Sequence, residues 1–222
     1  MADTTDLATP VITIFEKIFT PLKQFAEFQL EKVNFQSLAL EAHNKLAGLA
    51  QVRTINEFDR SVSLYDFYVP PQVTNLESNQ IFVVNDLSDF SNPKKVLISG
   101  IVGQGKSILM KNLAIKESYK GEKFPVFMEL RELGEEEGLE NFIHRNIGNY
   151  IGLESHKLQS YLLREGKVIL FLDGFDEIKT GEMGRIVKEF EKLIKKFPKL
   201  NFIVSSRPEE NRTYALTDSK KY

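Results

Sequence analysis

The string Gly100-Ile101-Val102-Gly103-Gln104-Gly105-Lys106-Ser107 restricts what this chain can fold into more than any other feature. It fits the phosphate-loop pattern GxxxxGK[ST], follows the apolar run Val96-Leu97-Ile98, and opens a helical pattern of Ile108, Leu109, Leu113 and Ala114. Strand, glycine loop and helix in that order form a cradle for phosphate. Gly100, Gly103 and Gly105 allow backbone conformations that a Cβ would obstruct, so the N–H groups from Gly100 to Gly105, those of Ile101, Val102 and Gln104 included, can turn toward phosphate oxygens. The helix adds its positive dipole end. In such a loop Lys106 reaches the β- and γ-phosphates and the Ser107 hydroxyl ligates Mg²⁺. The competing reading, a glycine turn with a solvated lysine, does not account for the strand before it and the helix after it.

A second constellation lies downstream. Val168-Ile169-Leu170-Phe171-Leu172 runs into Asp173-Gly174-Phe175-Asp176-Glu177. A buried apolar strand would deliver Asp173 to the carboxyl edge of the sheet, where open α/β sheets bind ligands, and there it can hold Mg²⁺. Asp176 and Glu177 follow closely enough to orient or deprotonate a water. Acids at a merely solvated strand end are the alternative. Asn201 to Val204 reads as another strand, ending Ser205-Ser206-Arg207-Pro208. Arg207 can act as a cationic sensor of the γ-phosphate, or make a surface salt bridge.

Around these motifs the chain alternates short apolar runs with helical patterns. Val96 to Ile98, Val126 to Met128, Val168 to Leu172 and Phe202 to Val204 are continuously apolar, as parallel strands covered on both faces should be. The gaps between them suit helical crossovers. Met183, Ile186, Val187, Phe190, Leu193, Ile194 and Phe197 make one helical stripe. The expected fold is therefore α/β, a three-layer αβα sandwich on a parallel sheet. Before it, Ile14, Ile18, Leu22, Phe25, Phe28 and Val33 recur at helical spacing with Pro21 as a break, then Leu38, Ala42, Leu46, Leu49 and Val52. These predict a small α-helical module over 1–63, packed as an appendage; an amphipathic membrane anchor is disfavoured because its polar faces are not notably basic. Residues 64–93 read as a linker with some structure.

Composition narrows the function. The 222 residues carry 29 Lys and Arg against 31 Asp and Glu, a net charge of −2, which argues against dense phosphate neutralisation and direct nucleic-acid binding. With no cysteine there is no disulfide framework and no thiolate chemistry. Val11 to Phe19 is interrupted by Glu16 and Lys17, far short of the ~18 apolar residues of a membrane span. A soluble cytoplasmic protein is expected. His43, His144 and His156 show no metal spacing.

GIVGQGKS, FPVFMELREL, KVILFLDGFDEI and NFIVSSRP, in this order, resemble a NACHT domain, a signal-transducing ATPase of the P-loop NTPase class. Such domains occur in animal inflammasome-type receptors and bacterial antiphage proteins, and the short N-terminal module makes this chain more similar to the bacterial branch. The resemblance spans roughly Val96 to Pro208 and implies a nucleotide-binding domain over 94–210, with 211–222 as a flexible tail. It implies ATP, ADP and Mg²⁺ as cofactors, Lys106 and Ser107 as the phosphate-loop pair, and Asp173 as the metal acid. It also implies Asp176 and Glu177 as hydrolytic acids, Arg207 as the sensor, and Tyr65 to Pro71, with Tyr68 and Pro70, beside the adenine. The implied partners are a nucleotide, further copies of the chain or a C-terminal receptor half, and an effector or sensor protein.

Relatives continue past this point with a further sheet strand, a helical domain, a winged helix and a sensor array. The resemblance therefore makes the chain an incomplete core: an excised piece, a shortened reading frame or half of a split receptor. It also implies that Val96 to Ile98 forms an unpaired sheet edge. Two functions stay open, a slowly hydrolysing ATP switch and a non-enzymatic scaffold. A GTPase lacks its Asn-Lys-x-Asp string, an ABC-type ATPase its Leu-Ser-Gly-Gly-Gln string, and a small-molecule kinase its lid and acceptor pocket.

Overall fold

The computed structural model describes residues 8–23, 34–54, 57–92, 94–179, 181–208 and 220–221. The chain opens with α1 (Ala8–Phe19), a 3-10 turn at Thr20–Leu22 that accommodates Pro21, and α2 (Phe35–Gly48). Asn34 caps α2 by accepting from the Ser37 amide at 3.2 Å. Phe25, Phe28 and Val33, predicted on the first helical stripe, lie outside the described residues.

An antiparallel hairpin of β1 (Gln51–Thr54) and β2 (Glu57–Ser63) follows, then α3 (Leu64–Phe67) and a second hairpin, β3 (Gln72–Thr74) with β4 (Ile81–Val83). Neither hairpin is anticipated from the sequence. Val52, predicted at the end of a helical stripe, sits instead on β1 opposite Val62. A single apolar residue past the helix end carries no period of its own, so the stripe does not show that α2 stops at Gly48.

The body comprises β5 (Lys95–Ser99), α4 (Lys106–Lys120), β6 (Phe124–Glu129), α5 (Leu139–Ile151), α6 (His156–Arg164), β7 (Val168–Asp173), α7 (Met183–Lys196) and β8 (Asn201–Ser206), with a two-residue β9 (Lys220–Lys221). All four apolar runs are strands of one parallel sheet in the order β6-β7-β8-β5-β9. The expectation of an unpaired β5 edge is corrected here, because Val96 and Leu97 pair with Lys220 and Lys221. Residues 209–219, most of the predicted tail with the last residues of the predicted domain, lie outside the described residues.

Strand side chains alternate between two apolar layers. Leu97, Val126, Leu170 and Phe202 point into the core formed with α5, α6 and α7, where α7 buries Met183, Ile186, Phe190 and Leu193. Val96, Ile98, Phe171 and Ile203 face α4 and the segment Val84 to Phe90. Burial on both faces is why these strands read as unbroken apolar runs.

The N-terminal helices are not an appendage. Val11, Ile14, Phe15 and Phe19 belong to the same core as the sheet, and the Phe15 ring meets Phe124 of β6 edge-on at 5.6 Å. Phe19 stacks on Phe35 at 5.3 Å, joining α1 to α2. Lys17 donates to the Gly121 carbonyl at 3.2 Å, adding a polar tie at the end of α4.

Candidate functional site

Parallel pairing brings the carboxyl ends of β6, β7, β8 and β5 to one edge of the sheet. The registers Glu129↔Asp173 and Ser99↔Ser206 then fix which residues meet there. Gly100 leaves β5 with its amide bonded to the Ser206 carbonyl at 3.2 Å. The loop turns through Gly103 at φ +82° and Gly105 at φ +78°, values in the left-handed region where a Cβ is strained, and α4 starts immediately after.

Within the loop the polar groups serve one another. Lys106 Nζ donates to the carbonyls of Gly100 at 2.6 Å and Ile101 at 3.0 Å, and the Ile101 amide donates to Gln104 Oε1 at 2.8 Å. Ile101 and Val102 are exposed. A hollow of about 360 Å³ adjoins the loop, lined by Lys106, Ile98 and Leu109 on one side and by Pro71, Val73 and Leu76 of the second hairpin on the other. Tyr68 and Pro70, expected beside the base, do not line it. The Tyr68 ring packs on Ala50, Leu64 and Ile115, and burial pushes its hydroxyl pKa up.

On the far side of α4's first turn lies a cleft of about 250 Å³ that gathers Ser107, Asp173, Glu177, Glu129 and Arg131, with Val52 of the first hairpin as a wall. Asp173 is 8% exposed. Its Oδ1 accepts from the Ser205 hydroxyl, and the same hydroxyl accepts from the Gly174 amide at 2.8 Å. Ser205 of β8 thus aims the acid of β7. Phe175, buried against Phe190 with ring centroids 6.4 Å apart, anchors the short 3-10 turn Phe175–Glu177. Glu177 faces the cleft, but Asp176 does not line it. The Asp176 carboxylate accepts from the Arg207 amide at 2.9 Å, and its Oδ2 forms an ion pair with Arg207 Nε at 2.8 Å.

Glu129, Arg131 and Ser205 were not singled out from the sequence. Glu129 carries the same signal as Asp173, an acid ending an apolar run. It pairs with Arg131, and that carboxylate, with Glu177 nearby, holds the guanidinium pKa above the usual arginine range. Replacing Ser205 with Ala removes the hydroxyl bonded to both Asp173 and Gly174. We expect a loss of about 1–3 kcal/mol, read as a lower denaturant midpoint.

A family model for the NACHT domain matches residues 94–220, more than half of the chain. The chain belongs to the NACHT family. Membership brings a nucleotide-binding NTPase function of the signalling type, with Mg²⁺ the usual companion of the nucleotide. A comparison with curated proteins returned no match. Among solved structures the chain is similar to C. elegans PCH-2, at 17% identity and a TM-score of 0.38 over 59% of this chain. The match spans 34% of that protein, about a third of its length.

The residues fit the nucleotide and metal of a NACHT domain. The loop offers backbone N–H groups and a lysine beside a hollow, while Ser107 and Asp173 offer hard oxygen donors in one cleft. Among the described residues no group of three or more His, Cys, Asp or Glu is placed to hold a metal. That donor set suits Mg²⁺, which takes one or two protein oxygens and completes its shell with phosphate and water. His144 and His156 stack at 5.0 Å between α5 and α6, away from this edge, with His144 Nδ1 3.0 Å from Gln159 Oε1. No helix among the described residues is long and apolar enough to cross a membrane.

Proposed function

We propose that this NACHT chain is an ATP-binding, slowly hydrolysing switch whose nucleotide state controls its assembly into an oligomer. One observation supports this above the others. The first turn of α4 lies between two cavities, with Lys106 lining the loop-side hollow and Ser107 lining the acidic cleft. A nucleotide threaded across that turn would leave its base and ribose against Val73, Leu76 and Leu109 and its terminal phosphate at the acids.

In this reading the loop amides from Val102 to Gly105 and Lys106 would hold the phosphates, and Ser107 and Asp173 would hold Mg²⁺, which neutralises charge on the terminal phosphates when bound. Glu177 takes a proton from the attacking water, and Arg207 contacts the γ-phosphate. The inferred setting is cytoplasmic immune signalling of the bacterial antiphage kind, an inference from the four motifs together with the short helical N-terminal module. ADP would hold the resting form and ATP the assembled one.

The test is titration of the chain with ATP and ADP, with and without Mg²⁺. Glu177→Gln should leave Mg-ATP affinity unchanged and slow single-turnover hydrolysis by roughly 10²-fold or more. Equal turnover would remove Glu177 from the chemistry. Sizing the chain with ATP, with ADP and without nucleotide tests the assembly; a monomer in every state with no turnover would favour the scaffold.

A further inference from the structure

We propose that Asp176 is a positioning residue that stores the Arg207 guanidinium until a third phosphate displaces it, so that the pair sets the chain's preference for triphosphate over diphosphate. This rests on the nucleotide reading above and assigns Asp176 a different task from the water chemistry expected of an acid at this place.

The geometry points this way. Asp176 and Glu177 are neighbours in one 3-10 turn, where successive side chains diverge by about 120°. Glu177 falls on the cleft with Ser107 and Asp173. Asp176 falls toward the end of β8, and both of its oxygens are engaged by one residue, Oδ1 by the Arg207 amide and Oδ2 by Nε. Its side chain is 7% exposed, whereas that of Arg207 is 53% exposed. The carboxylate is therefore the fixed member of the pair and the guanidinium the movable one.

The two bonds have separate consequences. The backbone bond holds the Cα of Arg207 at the sheet edge, beside Gly100 through the Ser99↔Ser206 register. The side-chain bond can break while that anchor stays. A terminal phosphate carries more charge than one carboxylate and accepts hydrogen bonds from the same guanidinium. The phosphate and Asp176 thus compete for Arg207, and a diphosphate, lacking that group, leaves the pair closed. Asp176 thereby weakens ATP binding selectively.

Binding of Mg²⁺ with ADP, and with a non-hydrolysable ATP analogue, to the 222-residue chain tests this. Asp176→Asn keeps an oxygen for the Arg207 amide and removes the competing charge. Its triphosphate-to-diphosphate affinity ratio should rise roughly three- to tenfold, and this rise should vanish when Arg207→Gln is also present. Asp176→Glu, which keeps the charge, should return the ratio toward that of the unaltered chain. An equal rise with and without Arg207 would mean a through-space charge effect and overturn the assignment. So would an unchanged ratio with slowed hydrolysis, the signature of a water base. An unaltered chain that binds neither nucleotide overturns the nucleotide reading itself, and this assignment with it.

Discussion

Replacing Lys106 with alanine is expected to weaken Mg-ATP binding by roughly 100-fold or more while leaving the fold intact, as read by calorimetric titration beside a denaturant curve. The two readouts separate because of where the ammonium sits. It donates to the carbonyls of Gly100 and Ile101 in a loop where Ile101 and Val102 are 61% and 67% exposed. Water can replace the ammonium at the exposed Ile101 carbonyl and reach the half-buried Gly100 carbonyl, so folding should lose no more than about 1 kcal/mol. Phosphate oxygens would lose their one flexible charged partner on the loop, which water does not replace. Unchanged affinity in Lys106→Ala would contradict a phosphate role for the loop.

Phe15→Ala is expected to destabilise the whole chain by about 3–5 kcal/mol, a large share of the roughly 5–15 kcal/mol of a typical domain. Phe15 is 1% exposed, with Phe19 at 5.2 Å and Phe124 at 5.6 Å, so truncation opens a cavity between α1 and the sheet. The measurement is a denaturant midpoint followed by a probe of the sheet. If α1 were an independent appendage, the sheet would unfold at the unaltered midpoint. A comparison at Leu40, 51% exposed on α2, should shift stability by less than about 0.5 kcal/mol. The Phe15 result carries the more information, because the spacing of apolar residues along α1 says that one face is buried without saying against what.

That limit recurs across the molecule. The phosphate loop was legible because its requirements are local: glycines at φ +82° and +78°, with a strand ending and a helix beginning within a few residues. The four strands were legible because burial on both faces leaves a continuous apolar run, and α7 because its stripe repeats at the helical period. The two hairpins were not. β1, β3 and β4 have only three or four residues, β2 carries no continuous apolar run, and β3 and β4 show exposed, half-buried, exposed patterns that resemble linker. They nonetheless wall the two cavities, with Val73 on one and Val52 on the other.

The site shows the same division. Asp173, Glu177, Lys106 and Ser107 were recognisable because each stands at a fixed offset from a strand or loop end. Ser205 was not, since a serine on an apolar run has no signature until strand order places it against Asp173. The adjacent acids Asp176 and Glu177 are alike in sequence, and only the 3-10 turn sends one to Arg207 and the other to the cleft. By itself the sequence determined the chemistry on offer and the local shapes of loop, strand and stripe, because these depend on residues a few positions apart. Which faces met, which strand flanked β5 and which carboxylate took the arginine were decided by tertiary structure, because those choices depend on contacts between residues dozens of positions apart, whose partners no local pattern names.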